Sequence, residues 1–344
     1  MIGYYVHHHG RGHLHRAVCV AHRLRTPVAG FSSLPRPAGW PGEWTELPKD
    51  TGAGADGAAP TAGGTLHWAP LGHAGLRGRM GAIAGWIAEA GPDLFVSDVS
   101  VEVALLARLM GVPVVVAAMR GDRFDTAHRT AYDLADALLA PWPAAWPEPD
   151  WPDHWRAKTT HTGAFSRYDG RPRPTREGTP APSRRSVVVL LGAGGDGITE
   201  DDVRRAREKT PDWEWTVLGG TGGQWTDDPW PLLCRADAVV THAGQNAIAE
   251  CAAARTPALV IAQDRPHDEQ RATARALHGA GLATVRSGWP APEEWPGLLE
   301  RTARTPADRW ARWAPGDGAD RAAQLLDHLA TAGPALGRQP CAQR

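Results

Sequence analysis

Cysteine is scarce in this chain of 344 residues, and its distribution excludes two common kinds of site. The four cysteines, Cys19, Cys234, Cys251 and Cys341, lie far apart and form no C-x-x-C pair. Zinc ribbons and disulfide frameworks depend on closely or regularly spaced cysteines, so neither is expected here. We predict reduced thiols and a cytoplasmic location.

Long apolar runs and an excess of charge of either sign are also missing. No run approaches the roughly 18 to 20 apolar residues that span a bilayer, and the first residues lack the pattern of a secretory signal. The 37 basic side chains nearly balance the 38 acidic ones, so no general field attracts nucleic acid. We therefore expect no nucleic-acid partner and no transmembrane segment, while peripheral contact with a membrane remains open.

The chain instead alternates short apolar strands with helical patterns, and it does so in two halves. This alternation is typical of parallel α/β sheets, and the length allows two cores. A segment rich in Pro, Arg and Gly interrupts the pattern, so we place a first domain at residues 1–165, a linker at 166–185 and a second domain at 186–335. Residues 35–75 lack a clear period and are interpreted as loops. Residues 318–332 are predicted to form a helix that packs back across the junction.

Each half has a glycine turn directly after its first strand. In the second half the turn is GAGGDG (residues 192–197), which includes Gly194 and Gly195 and fits the pattern G-x-G-x-x-G. The acidic residue that would hold an NAD ribose has no counterpart about 20 residues later. An anion-binding turn and a plain connection between strand and helix both remain open.

The turn of the first half lies in HHHGRGHLH, which contains five histidines between His7 and His15. A purification tag is excluded because the cluster joins an apolar strand to a helical pattern. A metal cage is disfavoured because neighbouring side chains of a strand point to opposite faces. Gly10 and Gly12 give the backbone room to approach a substrate.

The strongest pattern is VVTHAGQNAIAECAAARTPALVIAQDRPHDEQ, which predicts a strand, a turn, a helix, a second strand and a loop. Backbone amides of residues 244–247 can face a diphosphate, with His242 as an added donor. Acidic and amide side chains in the helix and the final loop suit the hydroxyls of a ribose and a sugar. The candidate substrate-binding residues here are His242, Gly244, Gln245, Asn246, Glu250, Asp268, Glu269 and Gln270.

The stretch H-A-G-Q-N-A-I-A-E followed by D-E-Q resembles the nucleotide-sugar signature of GT-B glycosyltransferases, H-x-G-x-N-[ST]-x-x-E and then [DE]-Q. It is also similar to the C-terminal domain of the lipid-linked N-acetylglucosaminyltransferase of peptidoglycan synthesis, in glycosyltransferase family 28. The resemblance implies the GT-B fold, in which two Rossmann-like, doubly wound parallel-sheet domains face each other across a cleft. It implies that the first domain binds the acceptor and the second binds the nucleotide sugar. The implied contacts are His242, Gly244 and Asn246 on the diphosphate, Glu250 on the ribose, and Glu269 with Gln270 on the donor sugar.

The same resemblance implies a catalytic pair in the first domain. His13 follows the first strand, where related enzymes often place their general base, and Asp98 ends a strand at the same sheet edge. Asp98 would then orient His13, as in the His/Asp couple of inverting members. A helix N-cap is an equally open role for Asp98. Arg120 is assigned to acceptor or donor binding, with a charged connection between elements as the alternative.

We therefore expect an inverting, metal-independent glycosyltransferase that uses a nucleoside diphosphate sugar, with UDP as the expected nucleotide. No D-x-D pair for a divalent cation is evident, and no cofactor is expected because the nucleotide sugar is a substrate. A nucleotide-sugar 2-epimerase of the same fold remains an alternative. So does a nucleotide-sugar-binding protein without chemistry, because Ala247 stands where a Ser or Thr is usual. The acceptor has no readable motif, and a small molecule, a lipid-linked compound and a polymer all remain open.

Overall fold

The computed structural model describes residues 1–52, 59–174, 184–191, 198–220 and 223–332. Within these residues the chain forms two parallel sheets, each flanked by helices. The predicted pair of doubly wound α/β domains is confirmed.

The first sheet contains seven described strands in the order β3-β2-β1-β4-β5-β6-β7, and every neighbouring pair is parallel. The strands are β1 (Ile2–Tyr5), β2 (Val28–Ser32), β3 (Glu43–Glu46), β4 (Leu94–Asp98), β5 (Val114–Ala117), β6 (Ala137–Ala140) and β7 (Thr159–His161). The helices of this half are α1 (Gly12–Ala21), α2 (Ala74–Ala90), α3 (Val101–Leu109), α4 (Thr126–Leu134) and α5 (Asp153–Ala157).

The second sheet contains five described strands in the order β12-β11-β10-β8-β9, again all parallel. They are β8 (Arg185–Leu190), β9 (Trp213–Leu218), β10 (Ala238–Thr241), β11 (Ala258–Ile261) and β12 (Thr284–Arg286). The helices are α6 (Glu200–Lys209), α7 (Trp230–Arg235), α8 (Gln245–Ala253), α9 (Glu269–Gly279), α10 (Trp295–Ala303) and α11 (Gly318–Ala332). Short 3₁₀ helices occupy Pro266–Asp268, Pro292–Glu294 and Ala307–Arg312.

Burial explains why the central strands were readable in the sequence. All residues of β1, β4 and β10 are buried, and their largely apolar sequences are typical of strands covered on both faces. The edge strand β3 has no such signal, because its sequence EWTE leaves both ends exposed. It lies inside residues 35–75, which were interpreted as loops, so that interpretation was wrong for these four residues.

The last helix follows the second domain in sequence but packs on the first. Ala322 and Leu326 of α11 are fully buried in a cluster with Ile2, Val20 and Leu94. Asp327 accepts hydrogen bonds from the backbone N–H groups of Arg25 and Thr26. The predicted return of this helix across the junction is confirmed, while the exact domain boundaries stay predictions.

The described part of the linker contacts the second domain through Tyr168 and Arg171. Tyr168 is buried against Trp230, with ring centroids 4.9 Å apart. Arg171 donates to both carboxylate oxygens of Asp228, at 2.8 and 2.7 Å. Residues 175–183 of the linker lie outside the described residues. Across the parts of the chain that are described, no helix combines the length and apolar character that crossing a bilayer requires.

Candidate active site between the two domains

The parallel pairing of β1 with β4 brings two predicted residues to one edge of the first sheet. Tyr5 pairs with Ser97, so α1 starts a few residues beyond the point where β4 ends at Asp98. Ligands of open α/β sheets bind at this edge, outside the carboxyl ends of the strands. His13, the second residue of α1, therefore lies beside Asp98.

His13 and Asp98 form a hydrogen-bonded pair. Nδ1 of His13 lies 3.0 Å from Oδ1 of Asp98, and the Asp98 side chain is fully buried while that of His13 is 19% exposed. An ionised carboxylate at Nδ1 makes that nitrogen the donor, which leaves Nε2 as the nitrogen that can accept a proton. This is the arrangement that a general base requires.

Arg16 contacts both His13 and Asp98, and the sequence analysis did not identify it. Its guanidinium donates to Asp98 Oδ1, and Nη2 also lies 3.1 Å from His13 Nδ1. Burial alone raises the pKa of Asp98, but the opposing attraction of Arg16 and the contact with His13 hold it at about 2. The sequence did contain a pattern that could have indicated this contact. Residues three apart on a helix share a face, and Arg16 follows His13 at that spacing.

The alternative role for Asp98 is wrong. The N-cap of α3 is Ser100, whose hydroxyl accepts a hydrogen bond from the N–H of Val103 at 3.3 Å. Asp98 instead faces His13 and Arg16.

The other histidines of HHHGRGHLH surround His13 and do not form a cage. The ring of His7 lies 5.5 Å from that of His13, edge to face, and 5.1 Å from that of His8. Burial and the neighbouring histidines lower the pKa of His7 to about 3, so its ring is neutral at pH 7. His8 Nε2 lies 3.7 Å from Asp50 Oδ1.

Gly10 and Gly12 of this turn are each constrained to be glycine, but by different features of the structure. Gly10 has a φ of +70°, which side-chain-bearing residues rarely adopt. Gly12 lies against the second domain, where a Cβ would overlap the side-chain amide of Asn246. Gly12 therefore permits the close approach of α1 to the start of α8.

The second domain presents the start of α8 to His13 and Arg16. No side chain caps this helix at its N-cap Gly244, so its first-turn amides are available to an anion. The Gly244 N–H donates to His242 Nδ1 at 2.9 Å, which fixes the ring. Burial and Arg265 lower the pKa of His242 to about 4. Gln245 Oε1 accepts from Arg16 Nη1 at 2.7 Å and so joins the two domains.

The loop after β11 and the start of α9 carry three predicted contact residues, Asp268, Glu269 and Gln270. Their side chains differ in how far they are exposed to solvent. Gln270 is 3% exposed, and its Oε1 accepts from the backbone N–H groups of Ala243 and Gln263 at 3.1 and 3.0 Å. Its position ties the loops after β10 and β11 together. The Glu269 side chain is 29% exposed and lies 3.8 Å from Arg123, whereas Asp268 is 56% exposed and faces Arg271.

Two predicted contact residues are engaged in ion pairs. Glu250 is buried on α8 and accepts from Arg167 Nε at 3.0 Å; burial raises its pKa. Arg120 is 3% exposed, pairs with Glu148 at 2.7 Å and lies over the ring of Trp142. These contacts agree with the alternative interpretation, a charged connection between elements, and the assignment of Arg120 to substrate binding stays a prediction. Gly194 and Gly195 lie outside the described residues.

One group of side chains that could hold a metal ion stands in the described parts of both domains, and no sequence pattern had indicated it. It consists of His67, Asp125, His128 and His267. Two pairs of adjacent aspartates on the surface, Asp201 with Asp202 and Asp227 with Asp228, have roles other than metal binding. Asp202 forms a capping box with Thr199 at the start of α6, and Asp228 forms an ion pair with Arg171.

Comparisons with known proteins agree with this architecture. Residues 224–288 match the model of the glycosyltransferase family 28 C-terminal domain. A search of curated protein sequences finds no match. Among solved structures, the chain is similar to the glycosyltransferase of kitacinnamycin, with 20% identity, a TM-score of 0.70, and coverage of 95% of this chain and 98% of that one.

Two further structures were solved with ligands. The Streptomyces sp. SF2575 glycosyltransferase SsfS6, complexed with thymidine diphosphate, has 14% identity, a TM-score of 0.62, and coverage of 95% and 99% of the two chains. Phytolacca americana UGT2, complexed with UDP-2-fluoro-glucose and pterostilbene, has 15% identity, a TM-score of 0.65, and coverage of 96% and 99%. Together these likenesses show that the chain has the GT-B fold.

Proposed function

We propose that this chain, a glycosyltransferase of the GT-B fold, transfers a sugar from a nucleoside diphosphate donor to a hydroxyl group of an acceptor, with inversion at the anomeric carbon. UDP is the expected nucleotide. The proposal depends above all on one observation, which is the contact of His13 Nδ1 with the buried carboxylate of Asp98 at 3.0 Å.

The reaction begins with the acceptor bound to the first domain. Nε2 of His13 removes the proton of the acceptor hydroxyl as that oxygen attacks the anomeric carbon, and the sugar–phosphate bond breaks. Asp98 holds the ring in the correct tautomer and stabilises the imidazolium that forms. A base of this kind contributes about 10²- to 10⁴-fold in rate.

The leaving nucleoside diphosphate carries new negative charge, and the second domain offers groups to stabilise it. The uncapped first turn of α8 supplies N–H groups and the positive end of the helix dipole. The lowered pKa of His242 leaves its ring neutral at pH 7. The Gly244 N–H donates to Nδ1, so the ring proton is on Nε2, which can donate a hydrogen bond to the diphosphate. With these groups in place we expect this step to proceed without a metal ion.

The donor class is supported by the match of residues 224–288 and by the nucleotide ligands of the two neighbouring structures. Glu269 has a partly exposed carboxylate at the cleft and is the best placed of the acidic loop residues to accept from sugar hydroxyls. Gln270 acts differently, because its oxygen is occupied by two backbone amides and only its NH₂ group can donate.

The first test is a panel of UDP and TDP sugars with candidate acceptors. We expect thermal stabilisation by one nucleotide class, release of nucleoside diphosphate only with acceptor, and an inverted anomeric configuration by NMR. Lack of stabilisation by every nucleoside diphosphate would contradict the donor class. Conversion of the donor sugar without acceptor would favour the epimerase, and binding without turnover would favour a non-catalytic protein.

The second test concerns His13. His13→Ala should lower kcat by about 10²- to 10⁴-fold while stabilisation by the nucleotide is retained, because the base acts on the acceptor. His22→Ala is the matched control, since His22 is an exposed histidine at the end of the same helix. Wild-type turnover in His13→Ala would refute the assignment of the base.

A further inference from the structure

We propose that His67, Asp125, His128 and His267 form a binding site for a divalent transition-metal ion, of the Zn²⁺ class, that joins the two domains. The site is distinct from the His13 pair and goes beyond the proposed transfer reaction, which does not use it. Three imidazole nitrogens and one carboxylate oxygen are a common donor set for zinc.

The four side chains lie close enough to share one ion, which would replace the hydrogen bond between Asp125 and His128. Tetrahedral bonds of about 2.0 Å place ligand atoms about 3.3 Å apart. Here His67 Nε2 lies 3.0 Å from His128 Nδ1 and 3.4 Å from Asp125 Oδ1. Oδ2 of Asp125 lies 2.5 Å from His128 Nδ1 and 3.7 Å from His267 Nδ1. One ligand atom of each of the four residues lies within 4.8 Å of the others, so the side chains must rotate to bring these atoms to an even tetrahedral spacing.

The elements that carry these ligands come from both domains. Asp125 is the N-cap of α4 and His128 lies in its first turn, so the helix fixes their separation. His67 precedes α2, and its backbone N–H is held by the carboxylate of Glu102 at 2.8 Å. His267 belongs to the second domain, and it lies two residues before Glu269. An ion at this position therefore ties the first domain to the loop that carries Glu269.

The backbone around His267 supports its position in the cluster. His267 has a φ of +63° and Asp268 a φ of +54°, a strained pair for residues with side chains. The carbonyl of His267 accepts from the N–H of Asp122 at 2.7 Å. Gly121 lies so close to this carbonyl that a Cβ there would overlap it. The two domains thus meet here through backbone as well as side chains.

Proton balance sets one requirement. Arg123 Nη1 lies 3.1 Å from His128 Nε2, which favours the tautomer with its proton on Nδ1. A neutral imidazole that binds the ion through Nδ1 carries its proton on Nε2, so the Nδ1 proton is given to solvent and Nε2 takes one up, which requires Arg123 to turn away. Glu269, whose carboxylate lies 3.8 Å from Arg123 Nη2, is the acceptor toward which it can turn. Ion binding would then change the contacts of Glu269.

The test uses the full untagged chain, stripped with a chelator and kept free of nucleotide and acceptor. Zn²⁺ affinity is measured by competition with a chromophoric chelator, and the coordination is followed by the visible absorption of Co²⁺. We expect one ion per chain, a tetrahedral Co²⁺ spectrum and a rise in Tm with Zn²⁺, since an ion that binds only the folded state stabilises it. Absence of stoichiometric binding would overturn the site, and the proposed transfer reaction would be unaffected.

Variants locate the ion. His67→Ala and His267→Ala, one in each domain, should each weaken Zn²⁺ binding at least about tenfold, because even outer-shell changes cost 10- to 100-fold. His278→Ala, an exposed histidine on α9, is the control and should bind as wild type. If His67→Ala binds Zn²⁺ as tightly as the wild type, the ion lies elsewhere. If His67→Ala weakens binding but His267→Ala does not, the ion does not join the two domains. Should an alanine variant fail to fold, the asparagine variant at the same position replaces it.

Discussion

Arg16 links the proposed catalytic pair, His13 and Asp98, to the second domain. It donates to Asp98 within its own domain and to Gln245 across the cleft. A buried ion pair of this kind is costly to break, because the remaining partner is left charged and unpaired. Asp98 is therefore held ionised by a neighbour that also donates a hydrogen bond to Gln245 of the second domain.

The depressed pKa of Asp98 predicts a dependence of stability on pH. A carboxyl group with a folded pKa of about 2, below its usual 3.8, stabilises the folded state above pH 4. This contribution, about 2 kcal/mol, is lost as the pH falls from about 4 toward 2. Urea unfolding over this pH range should show a loss that is smaller in Asp98→Asn than in the wild type. The control Asp308→Asn, an exposed residue, should follow the wild type, and an equal loss in Asp98→Asn would contradict the assignment.

The start of α1 is fixed by its contact with α8. Gly12 begins α1 and faces the side-chain amide of Asn246 without room for a Cβ. A substitution at this position therefore acts on the approach of the two domains more than on the helix itself.

Gly12→Ala should accordingly raise KM for the nucleotide sugar, because Asn246 must move to make space for the new methyl group. Gly81→Ala is the matched control: it lies within α2, where an added Cβ meets nothing within 4 Å, and alanine there should stabilise by about 0.5–1 kcal/mol. Steady-state kinetics with the preferred donor and thermal unfolding of both variants provide the measurement. An unchanged KM in Gly12→Ala would show that the approach of α1 to α8 does not affect donor binding.

Helices and strands with a clear apolar run or helical period could be predicted from the sequence, whereas elements without such a pattern could not. The bounds of α11 agree with the predicted residues 318–332, because a helical period defines them. The strand β3 was missed because it is short, exposed and polar at both ends. The role of Gln270 was also hidden, since its two backbone partners lie on loops that only the sheet brings together.

At the scale of the whole molecule, α11 joins the end of the described chain to the first sheet. Leu326 is fully buried between α11 and the first domain, and Ala319 and Ala322 pack beside it. The helix thus closes the core of the first domain after the chain has completed the second.

Leu326→Ala should destabilise the protein by about 2–5 kcal/mol, the usual cost of removing a buried leucine side chain. Gln324→Ala, two residues earlier on the exposed face of α11, should change stability by less than about 0.5 kcal/mol. Denaturant unfolding followed by tryptophan fluorescence is the measurement. Equal stability of Leu326→Ala and wild type would show that α11 does not contribute to the core of the first domain.

The two parallel α/β domains and the segment from His242 to Gln270 could be predicted from the sequence, because they depend on local periods and on a contiguous motif in neighbouring residues. The pair of His13 and Asp98, which lie 85 positions apart, was implied by the family resemblance. The contacts of Arg16, the burial of Arg120 and the cluster of His67, Asp125, His128 and His267 became visible only in the folded chain. The members of this cluster are up to 200 positions apart, and only the approach of the two domains brings them together.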